Sequence, residues 1–215
     1  MDTKERNHQY TICLCITILQ TYPLFSLQAL SGNGHLSSHV LSLLNTQPML
    51  QVDYTATDRT LEVFSELSSD LEAAGVALDQ WDPLESPPSS LLGADLLVCN
   101  SSGHLLKEPR RVLPNMAAAV KEGAFVLLHT LLKGDILGET IAFLRTQNLQ
   151  QKDGLLSQAE WEELFEASSL DLVATKKSFY NSVIFLCRRC GPQRTPIVLS
   201  VEDMDCSWVE SLKVS

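Results

Sequence analysis

Positive charge is scarce in this sequence. Its 215 residues include 16 lysines and arginines against 26 aspartates and glutamates, which gives a formal net charge of -10 at pH 7. A protein that binds nucleic acid through phosphates, or that adheres to an anionic membrane surface, needs positive charge to neutralise its partner. The composition therefore predicts neither a nucleic-acid partner nor a membrane partner.

Long hydrophobic runs are also lacking. The apolar run at residues 10–19 is too short to cross a bilayer, which takes roughly 20 residues. The residues in front of it balance Asp2 and Glu5 against Lys4 and Arg6, whereas a signal peptide begins with a positive bias. An extra strand or a poorly ordered leader is therefore preferred over a targeting or anchoring segment, and we expect a cytoplasmic protein.

Motifs for several kinds of chemistry are missing. The chain contains no Gly-x-Ser-x-Gly nucleophile elbow and no P-loop. Its six cysteines are scattered, which is typical of free thiols. Cys187 and Cys190 have the spacing of half a zinc site, but no second pair accompanies them. We therefore predict no metal site.

What the sequence does contain is a regular alternation of strand and helix patterns. An apolar stretch at residues 24–30 predicts a strand, and an apolar stripe from Leu36 to Leu44 predicts the helix after it. Further strands are predicted at residues 49–57, 76–78, 94–99 and 124–129, and further helices at residues 61–71, 112–121 and 137–145.

The last third of the chain breaks this alternation. Ser157 and Glu160 form a capping box that predicts the start of a helix. Two strands follow, at residues 170–175 and 182–186, and the six residues between them are too few for a helical crossover. They therefore predict an antiparallel hairpin. Together the patterns predict a Rossmann-like α/β fold with a seven-stranded sheet, an antiparallel last strand and helices on both faces.

Polar residues recur where the predicted strands end, which is where ligands bind in such sheets. Gly32 and Gly34 follow the first strand, and a glycine turn lets backbone approach a ligand closely. Asp58 follows the second strand and Asp79, with Asp82, follows the third. Each acid alone is also explained as a solvated strand end or a helix cap. Together with residues 100–104 after the fourth strand, they predict a nucleoside pocket.

Two stretches add a resemblance to this pattern. Residues 54–58, Tyr-Thr-Ala-Thr-Asp, resemble the second strand of the methyltransferase domains in polyketide synthases. Residues 95–104 resemble their fourth strand, which ends in an active-site histidine, here His104. The sheet and the glycine turn likewise resemble class I S-adenosylmethionine-dependent methyltransferases.

A closer resemblance is to the pseudo-methyltransferase domains of animal fatty acid synthases. It rests on several separate motifs, at residues 32–36, 54–60, 94–100, 127–132, 156–161, 176–180 and 185–189. Residues 196–199 and 208–213 resemble the start of the truncated ketoreductase-like domain that follows. The resemblance implies an atypical leader at residues 1–26, a methyltransferase-like domain at residues 27–190, and a linker with a truncated ketoreductase-like start at residues 191–215.

That resemblance also implies a domain without catalysis. The methyltransferase motif has an acid where this chain has Gln28 and a first glycine where it has Leu30. Gly32, Gly34, Asp58 and Asp79 would then be a vestigial S-adenosylmethionine pocket, with no cofactor and no catalytic residue. The expected role is architectural, beside the ketoreductase-like, dehydratase and ketoreductase domains of a fatty acid synthase.

The alternative is an active methyltransferase that uses S-adenosylmethionine, with His104 as the general base. In methylating relatives a carboxylate after the fifth strand orients this histidine. Here His129 and Thr130 stand at that place. Since a histidine without its orienting acid lacks a fixed tautomer, the sequence favours the scaffold over the enzyme.

Overall fold

The protein is represented by a computed structural model, which describes residues 24–32, 35–44, 51–65, 68–100, 108–134, 155–177 and 182–191. The leader and the predicted helix at residues 137–145 lie outside the described residues. No helix among those described is long and apolar enough to span a membrane.

The described strands form a seven-stranded sheet in the order β3-β2-β1-β4-β5-β7-β6. The strands are β1 (Leu24–Ala29), β2 (Val52–Asp58), β3 (Val76–Gln80), β4 (Ala94–Asn100), β5 (Val120–Leu131), β6 (Leu170–Lys177) and β7 (Ser182–Arg189). Strands β1 to β5 are parallel, and β7 runs antiparallel to both β5 and β6. The predicted seven-stranded fold, including its reversed last strand and terminal hairpin, is confirmed.

Helices cover both faces of this sheet. They are α1 (His35–Leu44), α2 (Ser68–Ala73), α3 (Pro109–Ala119) and α4 (Gln158–Ala167). We call the face that carries Val40 of α1 and Leu71 of α2 the α1 side. The opposite face, which carries Val112 of α3 and Trp161 of α4, is the α3 side. Successive side chains of a strand point to opposite faces, so each central strand contributes to two cores.

The core on the α3 side is organised by aromatic packing around α4. Trp161, Phe165 and Phe185 are almost fully buried. Their ring centroids lie 5.0 to 6.2 Å apart, with Phe165 edge-on to Phe185. Aromatic pairs in such tilted arrangements gain about 0.5–1.5 kcal/mol beyond the area that they bury. They fix α4 over β7 and hence the terminal hairpin.

Some predicted boundaries were wrong. The single helix predicted at residues 61–71 is a 3-10 helix, Leu61–Phe64, and a separate helix, α2. Strand β3 runs to Gln80, so Asp79 lies inside the strand and not after it. The cause is pairing with β2, which extends to Asp58 opposite Gln80.

Strand β5 is twice as long as the predicted one, 12 residues, and takes in the turn predicted at Glu122 and Gly123. In place of a turn, the strand contains a bulge. Ala94 of β4 pairs with Val120 and Leu96 pairs with Phe125, so β5 has extra residues between the two pairs. Gly123 adopts a left-handed φ of 79° there. Its carbonyl oxygen accepts a hydrogen bond of 3.1 Å from Nε of Arg188.

The capping box of α4 generates a stability prediction. The Glu160 N–H donates to the Ser157 hydroxyl at 3.3 Å, and the Glu160 carboxylate accepts from the Ser157 N–H at 2.7 Å. Ser157→Ala should lower the free energy of unfolding by about 1 kcal/mol, measured by urea denaturation. Hydrogen bonds from Ser157 also lower the pKa of Glu160.

Because that pKa is lower in the folded state, its contribution to stability is present above the ordinary value of 4.5 and is lost as the pH falls through the folded-state value. Glu160→Gln should therefore make the free energy of unfolding fall less steeply with acid than in the parent. Glu163→Gln, on the same helix outside the cap, is the control. Equal pH profiles for the parent and Glu160→Gln would contradict the prediction.

Candidate functional site

The turn after β1 and the end of β2 meet at the carboxyl edge of the sheet. The Gly32 N–H donates to Oδ2 of Asp58 at 2.8 Å, and the Ser31 N–H donates to the Thr57 carbonyl at 2.9 Å. Gly32 has a φ of 59°, in the left-handed region that glycine adopts freely. The structure thus joins two of the predicted site residues, Gly32 and Asp58. Gly34 and His104 lie outside the described residues.

Leu30 occupies the place of the first glycine and keeps a glycine-like backbone. Its φ is 55°, and its side chain is 7% exposed within the core on the α3 side. The left-handed region costs a non-glycine residue roughly 1–2 kcal/mol. Burying a leucine side chain contributes about 1.5–3 kcal/mol, so the packing offsets the strain. The left-handed turn is therefore retained with a leucine in place of the glycine.

Gln28 stands where methyltransferases carry an acid. Both hydrogen bonds that its side-chain oxygen can accept are made within the protein. This Oε1 atom accepts hydrogen bonds from the Tyr54 hydroxyl at 2.5 Å and the Ser37 hydroxyl at 2.8 Å. All three side chains are buried. Burial raises the pKa of Tyr54, so its hydroxyl stays protonated and remains a donor. The backbone oxygen of Gln28 accepts a further bond of 3.0 Å from Thr57.

Asp58 has a carboxylate at this edge that can accept further hydrogen bonds from a ligand. It is half-buried, and besides Gly32 it accepts the Arg59 N–H on Oδ1 at 2.7 Å. Two backbone donors leave a carboxylate with further lone pairs to offer. Burial and then the charge of Asp58 raise the pKa of Cys99 to about 12. That thiol is therefore neutral and is not a nucleophile.

The acids at the end of β3 and just after it make contacts within the chain. Asp79, inside β3, accepts the N–H of Gln80 at 2.7 Å and lies 3.5 Å from the Ser90 hydroxyl in the following loop. Asp82 forms an ion pair of 2.8 Å with Arg59. Asp79 is thus engaged by the loop after β3, while Asp82 bridges to the end of β2. The sequence signal for this pair was opposite charge just beyond two adjacent strands.

A second pair at the same edge escaped the sequence analysis. Nδ1 of His129 lies 2.6 Å from Oδ1 of Asn100. These residues are opposite each other in the register of β4 and β5. Because Asn100 Oδ1 can only accept, Nδ1 carries the proton in this contact. With the amide in this orientation Asn100 holds the ring of His129, the residue that stands where methylating relatives have a carboxylate.

The fold family implies S-adenosylmethionine, and the residues present fit it at one end only. Asp58 offers the acceptor that ribose hydroxyls need. At the methionine end, the Leu30 side chain replaces the glycine that permits close backbone approach. Gln28 there is neutral and its side-chain oxygen already accepts two hydroxyls. Within the part of the chain that the structure describes, this end of the site therefore offers no carboxylate for the ammonium of the methionine moiety at position 28.

Other chemistry has little support in the described part of the chain. No group of three or more His, Cys, Asp or Glu side chains within it could hold a metal ion. Of the two cysteines that have the spacing of half a zinc site, Cys187 is buried, and burial raises its pKa to about 12. A protonated thiol is a poor metal ligand.

Solved structures resemble this chain closely in fold. The CMeT domain of the citrinin polyketide synthase matches 87% of the chain with a TM-score of 0.73 and 14% sequence identity. The carbon methyltransferase CurJ matches 87% with a TM-score of 0.72 and 15% identity. The trans-methyltransferase CalH, solved with SAH, matches 85% with a TM-score of 0.69 and 20% identity.

The chain spans about half the length of these proteins: 52%, 54% and 55% of them, respectively. A putative methyltransferase from Bacillus halodurans is covered over 100% of its length, with a TM-score of 0.62 and 14% identity. No protein-family model matches the sequence. These likenesses show that the chain has a methyltransferase-like, Rossmann-type α/β fold.

Proposed function

We propose that this chain is a methyltransferase-like domain that does not methylate and that serves as a scaffold within a fatty acid synthase. The observation that carries the first part is the buried Leu30 side chain in the left-handed position of the first glycine. Such a residue keeps the shape of the turn but places a packed side chain at a position where the methyltransferase motif has only a glycine hydrogen.

The polar groups around the turn support the same proposal. A ligand-binding site commonly leaves donors and acceptors unpaired until the ligand arrives. Here the oxygen of Gln28 is paired with Tyr54 and Ser37, and Asp82 is paired with Arg59. The edge is stabilised by contacts within the chain, as a scaffold requires.

The fatty acid synthase part rests on the motif resemblance. Several of those motifs fall on elements that build the sheet: residues 54–60 end β2, residues 127–132 end β5, and residues 185–189 end β7. The proposed partners are accordingly the ketoreductase-like, dehydratase and ketoreductase domains of the same cytoplasmic multienzyme. The chemistry of fatty acid synthesis would belong to those other domains.

A second candidate, an active methyltransferase, is favoured by one specific observation. Asn100 orients His129 at the same carboxyl edge of the sheet as Asp58, although two strands lie between β2 and β5, so a histidine held by a neighbouring amide is present at this edge. This enzyme would use S-adenosylmethionine on a small molecule or a carrier-bound β-keto substrate. Leu30 and Gln28 weigh against it.

Calorimetric titration with S-adenosylmethionine and S-adenosylhomocysteine distinguishes the two candidates. We expect no binding heat from the folded chain at ligand concentrations up to about 1 mM, that is, a binding free energy weaker than about -4 kcal/mol. The variant Gln28→Glu/Leu30→Gly restores the acid and the glycine. It should bind at least about tenfold more tightly, a gain of about 1.4 kcal/mol or more.

The control is the same double variant with Asp58→Asn added, which should lose the gained affinity because the ribose acceptor is weakened. Cooperative thermal unfolding of each variant confirms that it is folded. Micromolar binding by the parent chain would overturn the non-catalytic proposal and leave the methyltransferase in its place.

The scaffold role predicts the behaviour of a chimeric fatty acid synthase. Residues 24–191, which include the whole of β1 and β7, would replace the corresponding domain, and NADPH oxidation during fatty acid synthesis would be measured. Asp58→Asn and His104→Ala should leave the rate within about twofold, because neither residue is used. Phe185→Ala, which removes about 3–5 kcal/mol of core packing, should lower it. A rate that fell with His104→Ala and not with Phe185→Ala would contradict a scaffold.

A further inference from the structure

Two polar side-chain atoms buried on the α3 side have no hydrogen-bond partner in the described part of the chain. They are Oγ1 of Thr130 on β5 and Nε1 of Trp161 on α4. The two residues are 0% and 1% exposed, respectively, so bulk solvent reaches neither atom. A buried polar group without a partner is uncommon and destabilises the fold. Two such atoms in one core point to a bound polar molecule.

The side chain of Thr130 is directed to the same core as Trp161. Leu128 on β5 and Leu132 just after it both belong to the core on the α3 side, and side chains two residues apart on a strand share a face. Val183, which is opposite Thr130 in the register of β5 and β7, belongs to that core as well. The threonine hydroxyl therefore lies in the layer that contains the indole.

The two residues also lie at a similar depth below the carboxyl edge of the sheet. The Lys133 N–H donates to the Leu156 carbonyl at 2.9 Å, so α4 begins beside the end of β5. From there α4 runs back toward the opposite edge, where Leu170 begins β6. Thr130 lies three residues before Lys133, about 10 Å along the chain. Trp161 lies about one turn, roughly 5 Å, inside α4.

Phe185 of β7 connects the two residues laterally. Its ring centroid lies 6.2 Å from that of Trp161. Phe185 follows Val183 by two residues on the same face of β7, and Val183 is opposite Thr130. The indole is thus packed about one side-chain position, roughly 7 Å, from the threonine. The two polar atoms make no direct hydrogen bond, and a spacing of this kind is one that a single bridging molecule spans.

The chemistry of these two atoms selects the molecule between them. An indole N–H can only donate, so a cation would meet the positive end of its dipole. An anion would need a buried cation, and the buried residues of the described part of the chain include none. A threonine hydroxyl both donates and accepts. A neutral molecule that also donates and accepts satisfies both atoms, and the smallest is water.

We propose that one ordered water molecule is bound between Thr130 and Trp161 and hydrogen-bonds to both. Buried waters in proteins typically satisfy polar groups that have no other partner. This water joins β5 to α4 by a directional contact inside an apolar core, in addition to the aromatic packing on Phe185. The inference rests on the core alone and holds whether or not the domain methylates.

Two substitutions at one position provide a matched test in the full chain. Thr130→Val keeps the branched shape and removes the hydroxyl, whereas Thr130→Ser keeps the hydroxyl. Oxygen-17 relaxation dispersion of the solvent counts water molecules held inside a protein. We expect about one held water fewer in Thr130→Val than in the parent, and no change in Thr130→Ser. An equal count in all three chains would overturn the proposal.

The indole N–H groups give a second, local readout. Trp81 is the control, because it is also buried and its Nε1 already donates to the Glu85 carbonyl at 3.2 Å. Magnetisation transfer from water to each indole N–H would be measured by NMR, with Trp81→Phe and Trp161→Phe to assign the signals. We expect transfer at Trp161 in the parent and in Thr130→Ser, and none at Trp81. Absence of transfer at Trp161 in the parent would contradict the bound water, and transfer that persists in Thr130→Val would contradict the bridge.

Stability separates a bridging water from a hydroxyl that is simply unpaired. With the water present, Thr130→Val removes a partner on which the Trp161 N–H depends, so the equilibrium constant for unfolding should rise by about fivefold or more, measured by urea denaturation. In a dry core, a methyl group in place of an unpaired hydroxyl would leave that constant unchanged or lower it. Either of those results would overturn the proposal. If Thr130→Val does not fold, the NMR comparison of Trp161 with Trp81 in the parent decides.

Discussion

The amide oxygen of Gln28 connects three elements of the fold at the point where a cofactor would be bound. It accepts hydroxyl hydrogen bonds from Tyr54 of β2 and Ser37 of α1, and all three side chains are buried. An unpaired buried acceptor costs about 1–3 kcal/mol, so these donors have to be present for the edge to fold. A carboxylate at this place would add a buried charge that needs a cation. The neutral amide needs none, and the turn above it forms without a ligand.

Leu30 holds the turn after β1 in a conformation that glycine usually adopts. The strain of its left-handed backbone is offset by burial of its side chain, so the turn still delivers Gly32 to the carboxylate of Asp58. That hydrogen bond now holds β1 against β2. The ion pair between Asp82 and Arg59 likewise links the loop after β3 to the end of β2. Residues of the kind that would contact a cofactor thus hold the strand ends together.

The fold was predictable from sequence to a greater extent than the site. Local sequence signals were enough to predict the start of α4 from the capping box of Ser157 and Glu160. They were also enough to predict the terminal hairpin, because six residues between two strands allow only an antiparallel pair. Asp79 was misplaced because aspartate is disfavoured in strands, whereas pairing with β2 extends β3 past it. The Asn100–His129 and Arg59–Asp82 pairs depend on register between strands. Charges and amides in sequence do not specify that register, so these contacts appear only in three dimensions.

The reversed direction of β7 has a consequence for how the domain fits into a longer polypeptide. Because β7 runs opposite to β1, Arg189 ends at the same edge of the sheet at which Leu24 begins. Three strand spacings separate the two points, about 15 Å. The whole α/β unit can therefore project from a multidomain chain like a loop with a narrow base. The carboxyl ends of β1 to β5 lie at the opposite edge from Leu24 and Arg189, so substitutions at that edge leave both ends of the sheet's chain in place.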